Sequence, residues 1–168
     1  MSKPLANKIA LVTGGSRGIG RAIATTLAAD GAVVAVHYGK NKAAAGEVVA
    51  AITAAGGVAF TVGADLTEAN AASTLFTALD AELIRRTGTA SFDILINNAG
   101  IAPFVGFGDT TQAQLDEIYA VNFRSLFLIT QQAVPRLKDG GRIVSTSSIV
   151  ARTPVPGQIG RASCRERV

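Results

Sequence analysis

The sequence predicts an α/β fold in which a doubly wound parallel sheet carries helices on both faces. Short apolar runs alternate along the chain with longer segments whose apolar residues recur every three or four positions. Small aliphatic residues dominate the composition, since 48% of the residues are hydrophobic but only 5% are aromatic. Alternating strands and helices pair in parallel through right-handed crossovers, which places helices on both sides of the sheet.

Five buried strands are predicted from the apolar runs. The first covers 8–13 and ends in glycines, and the second covers 32–38. The remaining three cover 58–63, 92–97 and 142–146. Near-continuous apolar runs of this kind are typical of parallel strands that are buried on both faces.

Three helices are predicted between the first four strands. Four-residue spacing of apolar side chains marks the first and the third of them, through Ile19, Ile23 and Leu27 and through Leu75, Leu79 and Leu83. The second helix, over 43–55, is rich in alanine. The first is expected to end at Gly31 and the second at Gly56, because glycine commonly terminates helices.

A fourth helical stretch is predicted over 112–138, after a polar and glycine-rich loop over 98–110. Pro135 is expected in its last turn, and Gly140 with Gly141 is expected to stop it. The apolar side chains of the preceding loop either line part of a ligand pocket or pack on the protein: Phe104, Val105 and Phe107.

Composition excludes several classes of function. Half of the formal charge of +4 arises at the end of the chain, from Arg161, Arg165 and Arg167 with Glu166, so the remainder is near neutral and we expect no nucleic-acid partner. No apolar run approaches ~18 residues, which predicts a cytoplasmic protein with no membrane partner. One cysteine, Cys164, and one histidine provide neither a disulfide nor a multi-histidine metal site, so no metal is expected.

A glycine-rich segment lies where the first strand meets the first helix. Its glycines allow a sharp turn and a close approach to a pyrophosphate, and the amides and dipole of the helix start attract negative charge. An ordinary glycine turn is the alternative. The segment therefore predicts a dinucleotide-binding loop with these residues: Gly14, Gly15, Ser16, Arg17, Gly18, Ile19 and Gly20.

Two motifs together resemble the short-chain dehydrogenase/reductase family. The pattern Thr-Gly-x-x-x-Gly-x-Gly begins at Thr13, and Asn-Asn-Ala-Gly begins at Asn97, directly after the fourth strand. The resemblance covers 8–158. It implies a Rossmann-like fold and hydride transfer between NADP or NAD and a small-molecule carbonyl or alcohol, by an enzyme that is a homo-oligomer when complete.

The resemblance also implies roles for individual residues. Asn98, Ala99 and Gly100 would bind the cofactor, and Asp65 with Leu66 would form the adenine-binding pair. Asn122 matches the family's structural and proton-relay asparagine. Ser148 matches the catalytic serine, whose hydroxyl would hydrogen-bond the reacting carbonyl oxygen.

The end of the second strand favours NADP over NAD. An NAD site places an acidic residue about 20 residues beyond the glycine loop, yet positions 31–46 contain no Asp or Glu. Arg17 could pair with a 2′-phosphate, with Lys40 or Lys42 adding positive charge. A solvated surface cluster is the alternative reading of these charges. His37 and Tyr38 lie at the same strand end and are expected among the cofactor-binding residues, with His37 at the pocket edge.

The resemblance stops near the end of the chain. The family's Tyr-x-x-x-Lys pair would fall on Arg161 and Arg165, and a guanidinium has no accessible conjugate base for proton exchange. We therefore expect 1–158 to be a dinucleotide-binding domain truncated after its fifth strand, and 159–168 to be a non-native tail. The chain would be an inactive fragment of an NADP-dependent reductase.

Two other functions fit the same residues. If Arg161 and Arg165 are native, the chain is a non-catalytic dinucleotide-binding module. Alternatively, it is a structural subunit that pairs through the helix over 112–138.

Overall fold

The computed structural model describes residues 3–148. Five strands form one sheet in the order β3-β2-β1-β4-β5, and each neighbouring pair is parallel. Their bounds are Ile9–Val12 (β1), Val33–Tyr38 (β2), Val58–Gly63 (β3), Phe92–Asn97 (β4) and Leu137–Ser145 (β5). The direction of winding reverses between β1 and β4, which opens a crevice at the carboxyl ends of these two strands. The predicted doubly wound parallel fold is confirmed.

Helices cover both faces of the sheet. They are Gly18–Ala29 (α1), Lys42–Ala54 (α2), Ala71–Thr87 (α3), Gln112–Tyr119 (α4) and Ser125–Ala133 (α5). One hydrophobic cluster joins α1 and α2 to the sheet, and a second cluster on the other face joins α3 and α5 to it. Alanines such as Ala24 and Ala28 face the sheet from α1, as the composition predicts, because they allow close packing.

The predicted helical stretch over 112–138 is interrupted and ends two residues early, while Pro135 lies in its last turn as predicted. A π-helical segment, Ala120–Arg124, separates α4 from α5, and the helical region ends with the 3-10 turn Val134–Arg136 that contains Pro135. The strand β5 begins immediately, at Leu137.

The predicted strand over 142–146 is therefore too short. Gly140 and Gly141 do not stop a helix but lie inside β5, where the pairing register shifts. Leu137 pairs with Phe92 and Arg142 pairs with Ile94, so extra residues of β5 bulge out between these two pairs. Buried Asp93 lies opposite the bulge and accepts a hydrogen bond from Lys138 at 3.3 Å.

Within residues 3–148, no helix has the length and apolar character required to cross a bilayer.

Candidate cofactor-binding site

A cleft of about 530 Å³ lies at the carboxyl edge of the sheet, over the crevice between β1 and β4. Most of the residues predicted to bind a cofactor line it: Gly14, Ser16, Arg17, Gly18, Ile19, Gly20, His37, Asp65, Leu66, Asn98, Ala99 and Gly100. Gly15 and Tyr38 lie beside the cleft without lining it. The topology therefore brings together segments from four separate loops.

The glycine loop is packed too closely to accept larger residues. Gly14 has a left-handed φ of +63°, and a Cβ there would lie 2.9 Å from the Ala99 Cα. A Cβ on Gly20 would lie 2.1 Å from the Gly14 carbonyl oxygen and 2.6 Å from the side-chain Nδ2 of Asn98. The start of α1 is thereby pressed against the loop that precedes it, and both are pressed against the end of β4.

The N-terminus of α1 has no side-chain cap. Arg17 stands at its N-cap position with extended backbone, but its side chain makes no capping hydrogen bond. In contrast, Asn41 caps α2 and Thr111 caps α4 through hydrogen bonds to backbone amides. The residues that open α1, from Arg17 to Gly20, line the cleft, and a helix start placed in this way is suited to binding a phosphate.

The Asn-Asn-Ala-Gly segment fastens the end of β4 to the glycine loop. The hydroxyl of Thr13 accepts hydrogen bonds from the Asn98 and Ala99 amides at 2.9 and 3.0 Å. The side-chain amide of Asn98 donates to the carbonyls of Thr13 and Gly14, at 3.1 and 3.3 Å. Asn98 thus shapes the floor of the cleft through bonds to protein atoms, and its small neighbours leave space above that floor.

His37 lines the cleft, but its ring is buried and bonded to protein groups. Its side chain is 1% exposed, and its Nδ1 accepts a hydrogen bond from the Gly14 amide at 3.0 Å. The carbonyl of His37 accepts a second bond, from the Gly15 amide at 2.8 Å. Burial lowers the pKa of His37 from 6.5 to about 4, although the hydrogen bond to the Ala64 carbonyl opposes this shift.

These bonds show which amides of the glycine loop are already used by the protein. The protein itself satisfies the amides of Gly14 and Gly15, so these two groups are not directed at a ligand. The amides that remain for a phosphate lie farther along, where α1 begins.

Tyr38 ends β2, and Asp65 follows β3 and lines the cleft. A Cβ on Gly63 would lie 2.7 Å from the Tyr38 ring, so this ring covers Gly63. The Asp65 carboxylate accepts hydrogen bonds from the hydroxyl and amide of Thr67, at 2.7 and 3.1 Å, and lies 3.4 Å from the Lys40 ammonium. The Thr67 bonds, followed by Lys40, hold the pKa of Asp65 below its ordinary value. The sequence motifs gave no signal for Thr67, since its contacts depend on a local turn.

Neither of the two predicted catalytic residues, Asn122 and Ser148, lines the cleft itself. Asn122 lies within the π-helical segment, and its side chain accepts from the Ile101 amide and donates to the Ile101 carbonyl, both at 2.8 Å. It therefore fixes the loop after β4. Ser148 is half-buried beyond β5, and Thr146, two residues earlier, lines the cleft. Arg161 and Arg165 lie outside the described residues.

Positive charge lies at the mouth of the cleft. Arg17 and Lys40 both line it and are exposed, and the side chain of Lys40 is 78% accessible. Lys42 does not line the cleft. Asp65 neutralises part of the Lys40 charge, whereas no described carboxylate lies within salt-bridge distance of Arg17. Within residues 3–148, no group of three or more His, Cys, Asp or Glu side chains could hold a metal ion.

Residues 8–163 match the family model described as short chain dehydrogenase. The chain belongs to this family. Family members are oxidoreductases that use NAD or NADP. The resemblance predicted from the two motifs is therefore confirmed.

Curated relatives are longer than this chain. An uncharacterised oxidoreductase of Methylorubrum extorquens is 43% identical over 156 residues, which cover 93% of this chain and 60% of the relative. Hydroxynaphthalene reductase arp2 of Aspergillus fumigatus is 40% identical over 154 residues, which cover 92% of this chain and 54% of the relative. The chain thus spans between half and two thirds of the length of these relatives.

Solved structures of family members are closely similar in fold. The angucycline C-6 ketoreductase LanV with bound NADP has a TM-score of 0.93 and 44% identity, over 97% of this chain and 63% of LanV. A short chain dehydrogenase from Burkholderia cenocepacia in complex with NADP has a TM-score of 0.84 and 41% identity, over 95% of this chain and 63% of its own.

Proposed function

We propose that this chain forms the cofactor-binding part of an NADPH-dependent carbonyl reductase. The observation that carries the proposal is the uncapped start of α1, which faces the cleft beneath an exposed guanidinium. When bound, the cofactor supplies a hydride to the carbonyl carbon, and a proton completes the alcohol. The chain's own residues bind the pyrophosphate, orient the dinucleotide and shape the pocket.

The cleft is matched to this cofactor by shape and by charge. The loop and the helix start are in such close contact at Gly14 and Gly20 that neither position has space for a side chain. Because no side chain stands between them and the cleft, the backbone can approach a pyrophosphate. The 2′-phosphate would meet Arg17 through its planar donors, with Lys40 nearby. A carboxylate that would repel this phosphate is absent from the end of β2, because positions 31–46 contain no Asp or Glu.

Two similar proteins support a ketone as the group that is reduced. LanV is a ketoreductase by name and was solved with NADP, and the Aspergillus fumigatus relative is a hydroxynaphthalene reductase. In the proposed enzyme, the Ser148 hydroxyl donates a hydrogen bond to the substrate oxygen, and Asn122 holds the loop beside the nicotinamide end of the cleft.

The cofactor preference is tested by titrating the 168-residue chain with NADPH and NADH while following nicotinamide fluorescence. We expect tighter binding of NADPH. Arg17→Ala should weaken NADPH about tenfold, the effect of losing one charge-assisted hydrogen bond, and leave NADH nearly unchanged. Arg21→Ala is the matched control, because Arg21 is exposed on the same helix and does not line the cleft. Equal affinity for NADH and NADPH would disprove the preference.

We further propose that the 168-residue chain binds NADPH without appreciable turnover. Arg161 and Arg165 stand 13 and 17 positions after Ser148, where the proton-exchanging tyrosine and its lysine would be needed. Loss of a positioned acid/base lowers rates by ~10²–10⁴-fold. NADPH oxidation with simple aromatic ketones is the assay, and ready turnover would refute this part of the proposal.

Self-association of the complete enzyme is supported by an apolar stripe along α4 and α5. Leu115, Tyr119, Phe123 and Phe127 follow at four-residue spacing and are 44–59% exposed, and the rings of Tyr119 and Phe123 stack at 5.4 Å. Exposed aromatic rows of this kind are typical of protein interfaces. Light scattering should show a smaller assembly for Phe123→Ser than for the unchanged chain. A monomeric unchanged chain would contradict this proposal for the residues present.

A further inference from the structure

His37 connects two walls of the cleft. It lies near the end of β2, between the glycine loop that follows β1 and the loop that follows β3. Its Nδ1 bonds the Gly14 amide at 3.0 Å, and its Nε2 lies 3.0 Å from the carbonyl oxygen of Ala64. Ala64 directly precedes Asp65 and Leu66, which line the cleft. His37 is 1% exposed, and each of its ring nitrogens forms a hydrogen bond to one of the two loops.

These partners determine the tautomer of the ring. The Gly14 amide is a donor, so Nδ1 must carry a lone pair, while the Ala64 carbonyl is an acceptor, so Nε2 must carry the hydrogen. A protonated imidazolium could not accept the Gly14 bond. Burial holds the pKa of His37 at about 4, which keeps the ring neutral near pH 7.

The same residue also holds the next amide of the loop. The carbonyl of His37 accepts from the Gly15 amide at 2.8 Å. Two consecutive peptide groups of the turn are therefore oriented by one residue of β2. The following residues, Ser16 to Gly18, lead directly into the uncapped start of α1. The direction of that start depends on the turn before it.

We propose that His37 is a positioning residue for the dinucleotide, which sets the Gly14–Gly15 turn and joins the phosphate loop to the loop that carries Asp65. It does not touch the phosphates itself, because its donors and acceptors are satisfied by protein groups. This inference rests on the proposed cofactor function of the cleft.

Two substitutions separate the two bonds of the ring. His37→Asn places an amide oxygen as many bonds from the backbone as Nδ1, so it can still accept from Gly14. His37→Gln places an amide nitrogen as many bonds away as Nε2, so it can still donate to Ala64 but offers Gly14 no acceptor. Both variants remove the aromatic ring, and each therefore controls for the loss of packing in the other.

NADPH affinity is the decisive measurement. We expect His37→Gln to bind NADPH about tenfold more weakly than the unchanged chain, and His37→Asn to remain within about threefold of it. Binding of 2′-AMP, which lacks the pyrophosphate, should be no weaker in His37→Gln than in His37→Asn. A merely structural histidine would instead lower thermal stability in both variants and leave their NADPH affinities equal. Equal affinities would overturn the proposal.

Amide exchange and ring spectra keep the test independent of the cofactor. The Gly14 amide should exchange slowly in the unchanged chain and in His37→Asn, and quickly in His37→Gln. If the unchanged chain binds neither NADPH nor NADH but shows this exchange pattern, the proposed cofactor function is wrong, whereas the positioning of the Gly14 amide by His37 is supported. The chain contains one histidine, so its ¹⁵N spectrum is unambiguous. A hydrogen on Nδ1 would overturn the proposal even if neither variant folds.

Discussion

Acid should destabilise this protein through His37 in a defined range of pH. The ring is buried and neutral in the folded chain, where burial lowers its pKa from 6.5 to about 4. In the unfolded chain the same ring meets water and titrates near the ordinary histidine value. Between these two values the unfolded chain binds a proton that the folded chain does not. Stability is therefore complete above about pH 6.5 and declines as the pH falls toward 4.

The size of the effect follows from the two pKa values. One proton of difference changes the free energy of unfolding by about 1.4 kcal/mol for each pH unit. Across the interval from 6.5 to about 4, the loss is roughly 3 kcal/mol. This is a large part of the 5–15 kcal/mol that is typical of the stability of a domain. The nearest charged pair at this edge, Lys40 and Asp65, is not among the causes of the shift.

Urea unfolding at intervals from pH 7 to pH 4 measures this loss, and His37→Asn is the reference because asparagine does not titrate. Carboxylates with lowered pKa values, such as Glu82 at about 2, also cost stability in acid, but they do so equally in both proteins. The unchanged chain should therefore lose about 1.4 kcal/mol more per pH unit than the variant between pH 6 and pH 4.5. Parallel curves would show that the ring is accessible to protons in the folded chain.

Three further substitutions, with their controls, test a backbone contact, a buried ion pair and a helix cap. Gly20→Ala should lower the free energy of unfolding in urea by about 3 kcal/mol and weaken NADPH binding, because its Cβ would lie 2.1 Å from a backbone oxygen. Gly46→Ala is the control and should not destabilise the chain, since a Cβ there meets nothing within 4 Å. Asp93→Asn should lower the free energy of unfolding by about 2–3 kcal/mol, because its carboxylate is 6% exposed and bonds two lysines, and an unchanged melting temperature would contradict this. Thr111→Ala should lower the free energy of unfolding by about 1 kcal/mol, because it removes the cap of α4. Thr111→Ser keeps a capping hydroxyl and should retain most of that stability in the same thermal melt.

The first four strands were predictable because each is a short apolar run with turn residues at its end. Their observed bounds differ from the predicted ones by at most one residue at either end. The helices α1 and α2 could be predicted equally well, since glycines mark where they stop. The cleft could also be anticipated, because parallel strands bring their carboxyl ends to one edge of the sheet. These features depend on local sequence and on chain connectivity alone.

The errors concern features that depend on distant partners. Lys138 continues the polar pattern of a helix, yet it belongs to β5 because it reaches Asp93, 45 residues earlier. The bond between the His37 ring and Ala64 was equally absent from the sequence pattern, because the two residues lie 27 positions apart. Neither pairing leaves a periodic trace in the sequence.

The glycine loop illustrates how a single motif combines packing with ligand binding. Gly20 is required by packing, since its Cβ would collide with protein atoms. At Gly18 a Cβ would meet nothing within 4 Å, although the backbone there has a left-handed φ of +53°. Packing gives no reason for a glycine at that position, whereas the backbone angle does, since other residues pay about 1–2 kcal/mol to adopt it. This angle turns the chain from the Gly14–Gly15 bend, held by His37, into α1. Gly18 also lines the cleft, so a Cβ there would take up space in the proposed cofactor site.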